Sequence, residues 1–406
     1  MHHIQQVIDG VYWIGGNDFR TKNFENFIPI PQGITYNSYF IDDDKTAVID
    51  TVDAVIAERF LENVEYMLHG RSLDYIVINH MEPDHSATLL ALAERYPEAK
   101  LAGSPVALRM FEQFFHRPMK ERYIPTNEKM EISLGKRHLR FINAPMVHWP
   151  EVTFTYDAED RLLFSADAFG TFGTLTGSVF ADAVNYPAVY EEEARRYYTC
   201  IVSKYGTQVL AAMKKAAALP VDVLCPLHGP VFRTAKDLAF IWNAVERWAG
   251  WTPEIHGTAI FFASIYGNTA HAAERLAWQL RAKGADSVKL VDLCRTDYTY
   301  AMADAMQRSH LVFAAPTYNM GLYPVMRTFM EALEDHGIHG RRIGIIGNSS
   351  WAPNMAGKIM KEMVLRWKDC ELISDAVHIQ SAAGEKEEQA ISVMADALAA
   401  DLRREE

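Results

Sequence analysis

The chain has 406 residues, 49% of them hydrophobic and 23% charged, with a formal net charge of -12. This is an ordinary globular composition, long enough for two or three domains, and its acidic balance argues against a nucleic-acid-binding surface, which needs a basic patch. Cys200, Cys225, Cys294 and Cys370 are far apart with no CxxC pair, which excludes a cysteine-held zinc or iron–sulfur site and fits a reducing cytoplasm. The amino-terminal residues lack a signal-peptide core, and no apolar run is long enough to span a bilayer, so no membrane association is expected.

In chain order, residues 10–14, 35–41 and 47–50 alternate apolar and polar side chains and predict a meander of strands. Residues 17–32 between the first two form a long loop with Phe24, Phe27, Pro29 and Pro31, of a length usually associated with function or mobility. A helix is predicted over 54–68. Residues 76–79 are a short β-branched run that reads as a buried strand, and it stops at His80, Glu82, Asp84 and His85. Helices are predicted over 85–95, 105–115, 191–204 and 206–218, with strands at 139–142, 152–156, 162–165 and 221–226. Around 248–253 the pattern becomes a cleaner β–α alternation. Strands at 258–263, 287–291, 311–314, 343–346 and 376–379, each followed by a helical pattern, imply a parallel sheet with helices on both faces. The boundary falls near Gly250, giving domains 1–250 and 251–406.

The turn from His80 to His85 packs four metal-capable side chains at the carboxyl end of a buried strand, a favoured place for ligand sites in α/β folds. Charged residues are seldom buried without partners. Three more such groups follow apolar runs: His148, Asp167 and His228. Each has a plain reading when taken singly. His148 and His228 read as hydrogen-bonded loop histidines, Asp167 as a turn residue and Asp84 as the cap of the following helix. Those readings do not explain why every one falls at a strand end. Four histidines and three carboxylates are too many for one tetrahedral zinc and suit a dinuclear site with a shared carboxylate.

His80-Met81-Glu82-Pro83-Asp84-His85, with His148, Asp167 and Leu227-His228-Gly229, resembles the metallo-β-lactamase superfamily, whose usual pattern is HxHxDH. Glu82 replaces the second imidazole, which makes the site harder and more anionic and favours iron over zinc. The HxExDH variant followed by a second domain resembles the flavodiiron proteins. That resemblance implies an N-terminal αββα sandwich in which His80, Glu82 and His148 hold one iron, Asp84, His85 and His228 the other, and Asp167 bridges them. In some members the place of His85 is not a ligand.

In the second domain, Ser264-Ile265-Tyr266-Gly267-Asn268-Thr269 lies between the first strand and the first helix and offers hydroxyls and backbone N–H groups to a phosphate. Its plain reading is a polar loop with a helix cap. There is no GxGxxG and no Walker lysine, which disfavours dinucleotides and nucleoside triphosphates. Two later strand ends carry Pro316-Thr317-Tyr318-Asn319-Met320-Gly321 and Gly347-Asn348-Ser349-Ser350-Trp351, small polar residues with an aromatic, suited to gripping a flat ring. Together the three loops resemble flavodoxin, a doubly wound parallel sheet that binds FMN. By that resemblance Ser264, Tyr266, Gly267, Asn268 and Thr269 hold the phosphate and ribityl end. Pro316, Thr317, Tyr318, Asn319, Gly321, Gly347, Asn348, Ser349, Ser350 and Trp351 border the ring.

The family resemblance implies an enzyme with two non-haem irons and FMN that reduces O2 to water, NO to N2O, or both. It implies a head-to-tail homodimer, or a dimer of such dimers, with Trp149 between the flavin of one subunit and the irons of the other. Without a CxxC module, electrons are expected from a separate donor, a rubredoxin-like protein or a reduced deazaflavin. The competing expectation is a zinc hydrolase fused to a flavodoxin-like domain, against which Glu82 and the redox domain both argue.

Overall fold

The computed structural model describes residues 2–403. The chain divides into two compact units, the second beginning at Gly250.

In the first unit two sheets face each other. One has seven strands in the order Gln5–Ile8, Val11–Trp13, Tyr39–Ile41, Ala47–Ile49, Tyr75–Ile78, Lys100–Gly103, Tyr123–Pro125. The other has five, Glu131–Ser133, His138–Asn143, Thr153–Asp157, Leu162–Phe164 and Val223–Cys225. Alternate residues of both sheets meet in one core, with Trp13, Tyr39, Ile41 and Val77 from the first and Leu139, Phe141, Phe164 and Val223 from the second. Helices cover the outside. Ala57–Leu68 turns Phe60, Val64 and Leu68 inward at helical spacing and ends at His69 and Gly70, both in the left-handed region. This is the expected αββα sandwich.

The segment read as one strand over 35–41 is two. Ile34–Tyr36 pairs with Gly16–Asp18 in a small separate sheet, and Tyr39–Ile41 joins the large one. Asn37 causes the break by turning inward, accepting from Trp13 Nε1 at 2.7 Å and donating to the carbonyls of Pro226 and Gly229 at 2.8 Å each. The long loop over 17–32 also holds structure, a short hairpin of Asn23–Phe24 against Ile28–Pro29. The helix predicted over 85–95 is two pieces, Pro83–Ser86 and Leu89–Arg95, and that over 191–204 passes through a π-helical segment, Tyr198–Val202.

In the second unit the parallel strands run Val288–Asp292, Ile255–Phe262, Arg308–Tyr318, Arg342–Ser349, with Val377–Gln380 on the far side of the last. The chain order across the sheet is therefore 2-1-3-4-5, and the reversal opens a crevice at the carboxyl ends of the first and third strands. Successive strand residues serve opposite faces. Ile260, Val312 and Ile346 pack under the helices Asn268–Ala282 and Glu385–Leu402, while Phe261 and Phe313 meet Phe329 on the other face. Arg341 is buried at the base and donates to the carbonyls of Trp251, Met306 and Ala305 at 2.6, 2.7 and 3.2 Å. Among the described residues no helix is long and apolar enough to cross a membrane.

Candidate metal centre and cofactor pocket

All seven predicted metal-binding side chains are buried. They form two adjoining groups, His80, Glu82, His148 and Asp167 in one and Asp84, His85 and His228 in the other. The strand Tyr75–Ile78 delivers the first residues, and Asp50, in the left-handed region, holds the turn by accepting from Asn79 N and His80 N at 2.7 and 3.1 Å. Thr51 Oγ1 donates to the carbonyl of His85 at 2.6 Å. Glu82, not Asp84, occupies the position before the short helix, and it makes no side-chain capping bond there, so the capping reading of Asp84 fails. His148 comes from the loop before Thr153–Asp157, Asp167 from beyond Leu162–Phe164, and His228 from beyond Val223–Cys225.

In the first group, His148 Nε2 lies 2.9 Å from Glu82 Oε2 and 3.3 Å from Asp167 Oδ2. His80 Nε2 lies 3.3 and 3.5 Å from the same two oxygens. In the second, Asp84 Oδ2 lies 3.2 Å from both His85 Nε2 and His228 Nε2, and Asp167 Oδ1 is 3.0 Å from His85 Nε2. Asp167 thus turns one oxygen to each group. His85 points into the cluster, beside Asp84 and Asp167.

The far ring nitrogens fix the tautomers. His228 Nδ1–H donates to the carbonyl of Thr35 at 2.6 Å, and His80 Nδ1–H to Glu151 Oε1 at 2.8 Å. His85 Nε2 and His228 Nε2 face each other at 3.0 Å beside two carboxylates. The oxygens of Asp84 and Asp167 face these imidazole nitrogens without a well-directed hydrogen bond. Buried carboxylates held only by converging imidazole nitrogens, without well-directed hydrogen bonds, fit cations rather than packing.

The imidazoles and carboxylates of the cluster favour one another's charged forms. Burial disfavours a charged His80, yet the Asp167 carboxylate and the bonds to Glu151 and Glu82 outweigh it and lift its pKa well above normal. Burial likewise opposes, and Asp84 and Asp167 overcome it, pushing His85 up to about 10. His148 rises to about 9 against burial through the neighbouring carboxylates of Asp167 and Glu82. For Asp84 and Asp167 burial works upward, but the neighbouring histidines, His85 foremost, hold both below the carboxylate range.

Three residues of the site did not stand out in the sequence. Glu151 and Asp50 are buried carboxylates that orient His80 and its turn. Glu25, on the hairpin in the long loop, is exposed as a residue, but its carboxyl lies beside Glu82, and partial desolvation and then that charge push its pKa up to about 7. Glu151 lies three positions after His148, but nothing local marks its partner, which is 71 residues away. Phe24 from the same hairpin sets its ring 5.8 Å from that of His228, and Tyr197 does so at 5.4 Å from the other side of the chain.

In the second unit the crevice is lined by Ser264, Tyr266, Asn268, Thr269, Pro316, Thr317, Asn319, Asn348, Ser349, Ser350 and Trp351, as predicted, and also by Ile265, Met320, Ala352 and Ser381. Gly267, Tyr318, Gly321 and Gly347 do not line it, although each belongs to one of its loops. Gly267 is left-handed and stands before the helix Asn268–Ala282, whose amino end faces the crevice. A side chain on Gly347 would meet Asn354 Oδ1 at 2.2 Å. Asn348 Nδ2 donates to Ser381 O at 3.2 Å, tying the third loop to the end of the last strand. Trp149 is in the first unit, its ring 5.4 Å from His80 and 6.1 Å from His148. An aromatic-rimmed crevice at a switch point, with a helix amino end beside it, suits a phosphate-bearing aromatic cofactor.

A metallo-β-lactamase-like domain followed by a flavodoxin-like one is the class that fold and site define. Residues 34–229 match the family described as ODP family beta lactamase, and residues 260–390 match Flavodoxin. The nitric oxide reductase of Moorella thermoacetica is 30% identical over 377 residues, covering 91% of each chain. Among solved structures, rubredoxin oxygen:oxidoreductase from Desulfovibrio gigas superposes with a TM-score of 0.92 at 26% identity over 99% of both chains. The flavodiiron protein from Giardia intestinalis gives 0.89 at 23% identity over 100% of this chain and 98% of that one. The chain belongs to the flavodiiron protein family.

Proposed function

We propose that the protein is a flavodiiron oxidoreductase that reduces O2 to water, NO to N2O, or both, with electrons relayed through FMN. The observation that carries this reading is the pair of adjoining ligand groups joined through Asp167, in a chain that also holds a flavodoxin-like crevice. His80, Glu82 and His148 would hold one iron and Asp84, His85 and His228 the other, with Asp167 shared. Iron would supply a redox-active Lewis-acid centre, and FMN a store of up to two electrons. Reduction of one O2 consumes four electrons and four protons and yields two waters; coupling of two NO consumes two of each and yields N2O and one water.

The chain's own part is positioning and exclusion. Glu151 and the Thr35 carbonyl hold His80 and His228 with Nε2 facing inward. Phe24 and Tyr197 press aromatic rings against His228 and limit water on that side. Ser264, Asn268 and Thr269 would bind the FMN phosphate, and Trp351 would flank the ring.

A head-to-tail homodimer, alone or paired into a dimer of dimers, belongs to the same reading. Tyr266 and Trp351, on the crevice rim, are 94% and 87% exposed, a wide aromatic surface for a monomer to leave in water. Trp149 would then lie between the two cofactors. A rubredoxin-like protein or a reduced deazaflavin would donate electrons, and four cysteines widely spaced in the sequence fit a cytoplasmic setting. The test is to follow O2 and NO consumption side by side with a reduced donor. The reading expects at least one gas to be consumed and a chelator to abolish it; consumption of neither by protein containing iron and FMN would overturn it.

A further inference from the structure

The two ligand groups are backed by different chemistry. Behind the first, Glu151 Oε1 accepts His80 Nδ1–H and also Met81 N, each at 2.8 Å. Glu151 is 1% exposed and its second oxygen has no hydrogen-bond partner, so its charge acts mainly on the His80 ring. Behind the second, His228 Nδ1–H meets only the neutral carbonyl of Thr35, and His85 Nδ1 has no partner. Asp167 divides its two oxygens between the groups. The first group therefore faces Glu82 with a further carboxylate hydrogen-bonded behind one imidazole, whereas in the second, which faces Asp84, the buried Asp50 acts on His85 through space and no carboxylate is hydrogen-bonded to an Nδ1. An imidazole that donates to a carboxylate is a more basic ligand than one that donates to a carbonyl.

We propose that the two metal positions are unequal and that Glu151, a positioning residue, makes the His80–Glu82–His148 position the tighter one, filled first and emptied last. This rests on the dinuclear reading of the cluster but not on which gas is reduced.

The test is an anaerobic titration of metal-free, full-length protein with Fe(II), repeated with Mn(II), whose free-ion EPR signal reports unbound metal. Wild type should bind in two phases. His228→Ala should keep the tight phase and lose the weak one, and His148→Ala the reverse. Glu151→Gln keeps the shape of the side chain without its charge, and should weaken the tight phase about 10- to 100-fold while leaving the weak phase in place. A single phase in wild type, or a tight phase unchanged in Glu151→Gln, would overturn the proposal. Should Glu151→Gln fail to fold, the histidine pair decides, since equal affinities in His148→Ala and His228→Ala also overturn it. Unequal binding in a protein that consumes neither gas would sink the proposed reaction and leave this inference standing.

Discussion

Asp167 is the residue on which both halves of the cluster depend, since each of its oxygens faces one half. Asp167→Ala or His80→Ala should cost metal binding at least about tenfold while the flavin stays bound, because neither residue belongs to the second unit. Metal analysis beside the flavin absorbance reads both. The metal-free protein should also have a distinctive pH response. The folded pKa values of His85 and His148, about 10 and about 9, lie above the unfolded value. Their ion pairs stabilise fully below about pH 6.5 and are lost as pH rises through the folded values. Asp84 and Asp167 are shifted down, so their contribution is present above about pH 4 and fades on further acidification. Melting of the metal-free protein should therefore fall between about pH 6.5 and 10, and bound metal should flatten that fall by replacing protons. A rise in melting temperature over that range would contradict the assignment. The seven cluster residues were legible in the sequence because four share one turn at the end of a buried strand and the other three each come just beyond an apolar run. Glu151 and Asp50 were not, because a buried carboxylate is informative only through its partner, and that partner is distant in sequence.

Strands and helices were legible where period and burial agree. Tyr75–Ile78 and the five parallel strands of the second unit formed where they were read, although Arg308–Tyr318 and Arg342–Ser349 extend several residues beyond the 311–314 and 343–346 read from the sequence. The segment over 35–41 misled because Asn37 and Ser38, polar but fully buried, face inward to bond other loops. Only tertiary partners distinguish such a break from a continuous strand. The three loops read at the strand ends do border the crevice, but Gly267, Tyr318, Gly321 and Gly347 do not line it. Gly347→Ala would drive a methyl group against Asn354, whose Oδ1 also caps the next helix by accepting from Gly357 N at 3.0 Å. The substitution should destabilise the second unit by about 1–3 kcal/mol and weaken FMN retention, read by denaturant melts and by flavin fluorescence. Within the core of that unit, Leu276→Ala should cost about 2–5 kcal/mol, since Leu276 is fully buried beneath the sheet. A loss below that range would mean that the helix Asn268–Ala282 packs more loosely than described.

At the scale of the molecule, each unit has its own hydrophobic core. The second also closes its own start, where Arg341 holds the carbonyl of Trp251. A fragment of residues 250–406 should therefore fold and bind FMN without the first unit; a fragment that is unfolded by circular dichroism would contradict this. The two-domain plan was readable from the change of rhythm near Gly250, whereas the small sheets that bring Phe24 and Glu25 over the cluster were not, being made of two- and three-residue strands. The central claim is that the cluster from His80 to His228 is a dinuclear iron site serving a flavin in the same protein. Metal and flavin analysis of anaerobically purified protein tests it most directly. Two irons per chain with one FMN is the predicted result, and zinc in place of iron would contradict it.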